Sequence, residues 1–382
     1  MLHTDSNATR ALTTSGKRLA LRGAACAIAT LVVAVGALAC RSNPPAAPKI
    51  TPAAVVNQPV VQPQPQAATH YPFDGDAAYA SIKKQCDFGP RVIGTQAHEK
   101  CLAYLLDEMR KYADETFTQK FNFLTSTQRL PNTNVVGVFY AAGSTKPSTH
   151  PILLMAHWDT RPIADGPYSA ESKRGVAFRF SGGNWTPTAP IPGADDAGSG
   201  VAILIEMAKQ FKAHKPPVGV VMLLDDGEDY GDFEANGNAG EGVELGARYF
   251  AQHYKETPAF GQPAYGILLD MVGASNAFFP RESISQERAR VANDKVFGAA
   301  EALGYGSIFP SNRTQAVGDD HVSVNDAGIP TIDIIHPLPF GEYLETGYTY
   351  WHTTQDTPDK CSAKTLKIVG EVVESVIYSE TP

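Results

Sequence analysis

Two histidines and a set of carboxylates stand along the chain where each could grip a metal ion. They are His157 and Asp159 in His157-Trp158-Asp159, the pairs Asp195-Asp196 and Glu228-Asp229, Asp270, and His352 in Trp351-His352-Thr353. Neutral imidazole and carboxylate are the nitrogen and oxygen ligands of catalytic zinc, which takes about three of them and keeps one position open. Two ions side by side would use His157, Asp196, Asp229, Asp270 and His352 together, with one carboxylate bridging. A lone histidine at the end of an apolar run is ordinarily just hydrogen-bonded. It is the company of the other groups that favours a metal centre.

The neighbours of these residues have readable tasks. Asp159 lies two residues after His157, so in an extended continuation both point the same way and Asp159 could fix the imidazole tautomer. Asp356, four after His352, could do the same there, or cap a turn near Thr357-Pro358. Glu228 precedes a candidate ligand, and adjacent side chains diverge, which leaves Glu228 free for general acid/base work. Asp195-Asp196 lies among small residues (Gly193-Ala194 and Ala197-Gly198-Ser199-Gly200) at a helix start, where the backbone can come close to an ion or simply cap the helix. Asp319-Asp320-His321 reads equally as a helix cap with a surface histidine or as part of the site. Trp351 could wall a pocket, and Phe340, Tyr348 and Tyr350 crowd the preceding loop as an apolar rim.

These groups need a frame. Strand-like runs are expected at Asn134 to Tyr140, Ile152 to Ala156, Gly219 to Leu224, Gly266 to Leu269 and Thr331 to Ile335. Helical spacing covers Ala77 to Cys86, Ala97 to Tyr112, Gly200 to Lys212, Arg288 to Leu303 and Lys364 to Tyr378. This alternation predicts an α/β fold, a three-layer α/β/α sandwich with a mixed, largely parallel central sheet. The near-unbroken apolar runs suit strands buried on both faces. Ligands of such sheets bind beyond the carboxyl ends of the strands. Three of the runs lead straight into His157, Asp225-Asp226-Gly227-Glu228-Asp229 and Asp270.

The chain has 382 residues, 43% of them hydrophobic, enough for a sizeable core. Its net charge of -8, with no basic face, argues against a nucleic-acid partner. Residues 1–40 read as a signal segment: Arg10, Lys17, Arg18 and Arg22 precede an apolar stretch ending in Ala37-Leu38-Ala39-Cys40. That ending suits a bacterial lipobox with Cys40 as the lipidated residue, although Ala37 and Leu38 depart from the usual pattern; a plain secretory signal cleaved nearby is the alternative. The expectation is an exported lipoprotein of a bacterial envelope, facing the periplasm, that meets membrane only through its N-terminal lipid. Residues 41–70 form a Pro-rich tether and 71–382 a single catalytic domain. Cys86, Cys101 and Cys361 form no CxxC pair; Cys86 and Cys101 are either bridged or buried thiols.

The strings Ala156-His-Trp-Asp-Thr-Arg-Pro162, Gly193-Ala-Asp-Asp-Ala-Gly-Ser-Gly200, Leu223-Leu-Asp-Asp-Gly-Glu-Asp-Tyr-Gly231, Ile267-Leu-Leu-Asp-Met-Val-Gly273, Asp319-Asp-His321 and Trp351-His-Thr353 resemble the zinc aminopeptidase-like superfamily. Within it the chain is similar to the bacterial glutaminyl cyclases (glutaminyl-peptide cyclotransferases) of the animal type, from about Gly89 to the C-terminus. The resemblance implies one zinc held by Asp196, Asp229 and His352. It implies Glu228 as the proton-shuttling acid, Asp270 and Asp319 as hydrogen-bonded acids of the site, and Trp351 against the substrate, with Phe340 on the same rim. Asp229 stands where the animal enzymes carry Glu, and residues 230–242 hold no counterpart of a second pocket Trp. The implied reaction turns N-terminal Gln of peptides or proteins into pyroglutamate and ammonia. The alternative is a two-zinc aminopeptidase in which His157 and Asp270 hold the second ion. A non-enzymatic binding lipoprotein is a third reading, disfavoured by Glu228 beside the ligand candidates.

Overall fold

In the computed structural model, the runs that end in candidate ligands form the middle of one six-stranded sheet. The structure describes residues 71–173, 179–181, 184–186, 189–232, 241–256 and 260–381. The expected leader and tether lie outside them. The strands are β1 (Glu115–Leu124), β2 (Arg129–Phe139), β3 (Ile152–His157), β4 (Val220–Asp225), β5 (Tyr265–Asp270) and β6 (Thr331–Ile335). Their order is β1-β2-β4-β3-β5-β6. Strands β3 to β6 run parallel, while β2 is antiparallel to both β1 and β4, so the sheet is mixed and largely parallel.

Successive side chains of a strand face opposite ways, and both faces here are apolar. Leu154, Ala156, Met222, Leu224, Ile267 and Leu269 pack with helices α1 (Gly75–Asp87), α2 (Gln96–Tyr112), α3 (Gly198–Ala213), α5 (Arg290–Ala302) and α7 (Ala363–Tyr378). Leu153, Met155, Val221, Leu223 and Leu268 pack on α4 (Leu245–His253) and α6 (Asp320–Asp326) through Ala247, Phe250 and Val324. This is the expected three-layer sandwich. Helix α3 lies so close to the sheet that a Cβ at Gly200 would collide with the Leu269 carbonyl oxygen.

Several elements differ from the sequence reading. The edge strand β1 was not expected. Its burial is half and half, with Phe117, Phe121 and Phe123 only partly covered. The helix expected over Arg288 to Leu303 is α5, and a short helix that was not expected, Ser283–Arg288, precedes it, the two separated where Ala289 takes φ -133 and ψ 38. Cys86, Cys101 and Cys361 are all free thiols, so Cys86 and Cys101 are not bridged. No helix among the described residues is long and apolar enough to cross a membrane.

Candidate metal centre and acid cluster

Three neighbouring strands end on one edge. His157 closes β3, Asp225 closes β4 opposite it in register, and Asp270 closes β5. Beyond β4 the chain turns sharply at Gly227, whose φ of +83 lies in the left-handed region that glycine adopts freely. Before that turn, Asp226 accepts the Thr133 N–H at 2.6 Å and meets His98 Nε2 at 2.8 Å. His98 in turn stacks on Trp158 at 4.2 Å between ring centroids. After the turn, Asp159 receives the Glu228 N–H at 3.1 Å and the Asp229 N–H at 3.3 Å.

Asp159 has a task besides the one expected. Its carboxylate accepts two backbone N–H groups, one on each oxygen, and its Oδ1 also lies 3.5 Å from His157 Nδ1. The expected task of Asp356 is corrected. Instead of orienting His352, it accepts the Asp195 N–H at 2.9 Å, the Asp196 N–H at 3.2 Å and the Tyr348 hydroxyl at 2.5 Å. Each acid thus holds the loop that carries a candidate ligand. A buried Arg91, missed in the sequence, secures the Asp196 loop from behind by donating to the Pro192 and Gly193 carbonyls, both at 2.6 Å.

His352 is oriented by a residue the sequence reading also missed. Its Nδ1 lies 3.1 Å from Asp165 Oδ1, and its carbonyl accepts the Gly166 N–H at 3.0 Å. The His352 backbone has φ 52, a left-handed conformation uncommon outside glycine and typical of strained functional positions. Its Nε2 faces Asp229 Oδ1 at 3.1 Å and Asp196 Oδ2 at 3.7 Å. His157 Nε2 is 3.2 Å from both Asp196 Oδ1 and Asp270 Oδ1.

Two buried triads result, Asp196–Asp229–His352 and His157–Asp196–Asp270, with Asp196 common to both. Ligands of a tetrahedral zinc bound at about 2.0–2.1 Å lie roughly 3.3 Å apart, so both triads have suitable spacing. Asp229 Oδ2 is buried without a hydrogen-bond partner, which a bound ion would supply. The residues therefore fit zinc.

Beside the triads lies a group of buried acids. Burial pushes the Glu228 carboxyl well above the usual carboxylate range; His157 opposes this, and the charges of Asp229, Asp319 and Asp320 add to it. Asp319 is raised by burial and by Asp270, and Asp270 by burial against the pull of His157. Asp319 caps α6, accepting the Asp320 N–H at 2.6 Å, while its Oδ2 is left without a partner. The cap reading of Asp319 is thus met, but His321 is no surface residue: it is fully buried, 3.2 Å from Glu282. Of the aromatic residues, Trp351 stacks on His352 at 3.8 Å, and the exposed Phe340 meets Trp351 edge-on at 5.4 Å. Tyr348 is no rim residue, being buried with its hydroxyl on Asp356.

Asp225 and Asp320, missed as a pair, are fully buried with no hydrogen-bond partner on any carboxylate oxygen. Burial brings Asp225 to about 7, and burial together with the charge of Asp225 raises Asp320 well above the usual carboxylate range. A carboxyl raised on folding stabilises the fold below its unfolded value near pH 4, and that stabilisation is lost as pH rises through its folded value near 7. The thermal midpoint of metal-free protein is expected to fall by roughly 5 °C between pH 5 and pH 8, and Asp225→Asn to shrink that fall. Scanning calorimetry of both proteins across this range checks it; an equal fall in the variant would remove Asp225 from the account.

A mixed, largely parallel α/β sandwich with two buried carboxylate–histidine triads sharing Asp196 beyond its strand ends defines a zinc exopeptidase-like class. The model of peptidase family M28 matches residues 134–377, and the chain belongs to that family, whose members are zinc-dependent. Among solved structures it is similar to the glutaminyl cyclase of Bacteroides thetaiotaomicron bound to N-acetylhistamine, with 35% identity, 82% of this chain and 100% of that chain covered, and a TM-score of 0.69. The glutaminyl cyclase of Tannerella forsythia gives 35% identity, coverage of 81% and 100%, and a TM-score of 0.69. A leucine aminopeptidase precursor from Bacteroides thetaiotaomicron VPI-5482 gives 35%, 82%, 100% and 0.69 in the same terms. The curated Aminopeptidase YwaD of Bacillus subtilis (strain 168) is 26% identical over 196 residues, 49% of this chain and only 37% of its own length.

Proposed function

We propose that the protein is a glutaminyl-peptide cyclotransferase with one zinc at Asp196, Asp229 and His352. The observation that carries this reading is the row of buried acids, Glu228, Asp270 and Asp319, beside the triad. Cyclisation needs a proton carried from the attacking α-amine to the departing nitrogen, and a carboxyl held among other acids is suited to that work. The likeness to two glutaminyl cyclases over the whole of their chains supports it.

Zinc bound here supplies a Lewis acid for the side-chain carbonyl of the N-terminal Gln. Glu228 takes a proton as the α-nitrogen forms its bond to the δ-carbon, and returns it as the bond from that carbon to the amide nitrogen breaks. Pyroglutamate and ammonia leave, with no water consumed. Asp270 and Asp319 hold Glu228 and the developing charge in place. Trp351 and Phe340 wall the pocket, limiting water as a competing nucleophile and orienting the Gln side chain for ring closure. Substrates are exported peptides or proteins with N-terminal Gln, reached from a lipid-anchored position in a bacterial envelope.

A two-zinc aminopeptidase is the second reading, favoured by the His157–Asp196–Asp270 triad sharing Asp196 with the first. The deciding assay compares ammonia release from a Gln-initiated peptide with hydrolysis of leucine amide by the zinc-loaded protein. The cyclase reading expects the first to exceed the second by about a hundredfold or more in kcat/KM, a gap typical of a site matched to one transition state. Faster hydrolysis of leucine amide would overturn it.

A further inference from the structure

We propose that Arg161 is a positioning residue of the metal centre, one guanidinium that sets both His352 and Asp229 for the ion. Arg161 is buried, and its Nε and Nη2 donate to Asp165 Oδ1 and Oδ2 at 2.8 and 2.6 Å, a two-point grip on one carboxylate. The same Asp165 Oδ1 lies 3.1 Å from His352 Nδ1. An imidazole that donates from Nδ1 presents the lone pair of Nε2, and that atom faces Asp229 and Asp196. The third nitrogen of Arg161, Nη1, donates to the Asp229 carbonyl at 3.0 Å, the Gly231 carbonyl at 3.0 Å and Asp229 Oδ1 at 3.4 Å. Arg161 therefore engages one oxygen of Asp229 and leaves Oδ2 without a partner.

Two effects compete. A cation beside a ligand carboxylate repels a metal ion, and it also fixes the ligands before the ion arrives. The charge of Arg161 is matched by Asp165 in the same contact, so the repulsion is largely offset and the orientation remains. Lys would keep the charge but lose the planar fork that grips Asp165 and Asp229 together. The inference concerns the metal centre and does not depend on which reaction the protein performs.

Zinc affinity measured by competition with a chelator tests this without any substrate. Arg161→Met and Asp165→Asn are each expected to weaken zinc binding tenfold to a hundredfold, as is usual when a residue behind a ligand is lost. The double variant is expected to be little weaker than the worse single one, since both act on the same imidazole. The proton NMR signal of His352 Nδ1–H, assigned by its loss in His352→Gln, is expected to disappear in Asp165→Asn and to shift in Arg161→Met. General loosening of the fold would not give that pairing. Should Arg161→Met fail to fold, Arg161→Lys carries the same test with the same expected tenfold loss. A change below tenfold, tighter binding, or fully additive losses in the double variant would overturn the proposal.

Discussion

Glu228→Gln is expected to lower kcat for cyclisation about a thousandfold while leaving zinc content and KM nearly unchanged. The substitution keeps the shape of the side chain and removes only its capacity to take a proton. The backbone on either side is secured independently: Asp159 accepts the Glu228 N–H, and the Glu228 carbonyl accepts the Glu244 N–H at 2.9 Å. Glu228 belongs to neither triad, so the metal ligands stay as they are. What is lost is general acid/base catalysis, ordinarily worth 10²–10⁴-fold; a thousandfold loss is about 4 kcal/mol of barrier. Burial makes the effect large in this position, because little solvent is at hand to carry the proton instead. Steady-state kinetics with a Gln-initiated peptide, alongside metal analysis of the same preparation, give the answer. A variant within tenfold of the parent would sink the assigned role of Glu228, and one that had lost its zinc would show that the carboxylate is structural.

The parts of this site visible in the sequence are those delivered by uninterrupted apolar runs. Ile152 to Ala156, Val220 to Leu224 and Ile267 to Leu269 could only be buried strands, and His157, Asp225 and Asp270 follow them directly. A parallel sheet then brings these ends to one edge whatever the loops do. The edge strand β1 escaped notice because it mixes polar and apolar residues and is half covered. Helix α4 escaped because it has no start signal: the side chain of its cap residue, Glu244, makes no capping hydrogen bond, and Glu244 takes φ 53. The partner of His352 was misread for a different reason. Nearness in sequence put Asp356 with His352, but the chain directs that acid at backbone N–H groups of another loop. Asp165 reaches His352 from 187 positions away, measured from 165 to 352, and nothing periodic announces such a contact.

Which histidine the proposed single zinc depends on follows from that last difference, and it gives the other large effect. His352→Ala is expected to weaken zinc binding at least about a hundredfold, beyond what loss of a supporting residue costs. His157→Ala is expected to keep one zinc per chain. The two imidazoles are both buried and both face two carboxylates at their Nε2 atoms, so burial and ligand spacing do not separate them. Their Nδ1 atoms do. His352 has Asp165 at 3.1 Å, itself gripped by Arg161, which fixes the tautomer that offers Nε2 to a metal. His157 Nδ1 lies 3.5 Å from Asp159, whose oxygens also accept the Glu228 and Asp229 N–H groups, so its support is the weaker of the two. An imidazole held less firmly is freer to donate from Nε2, to Asp196 or Asp270, and in that form it offers no lone pair to an ion. His157→Ala is still expected to lose activity, since it removes the group between Asp270 and Glu228, while its metal content holds. Native mass spectrometry of the parent and the two variants counts the ions directly. Two zinc ions in the parent and one in His157→Ala would favour the aminopeptidase reading over the cyclase; one in the parent, one in His157→Ala and none in His352→Ala is the pattern the cyclase reading expects.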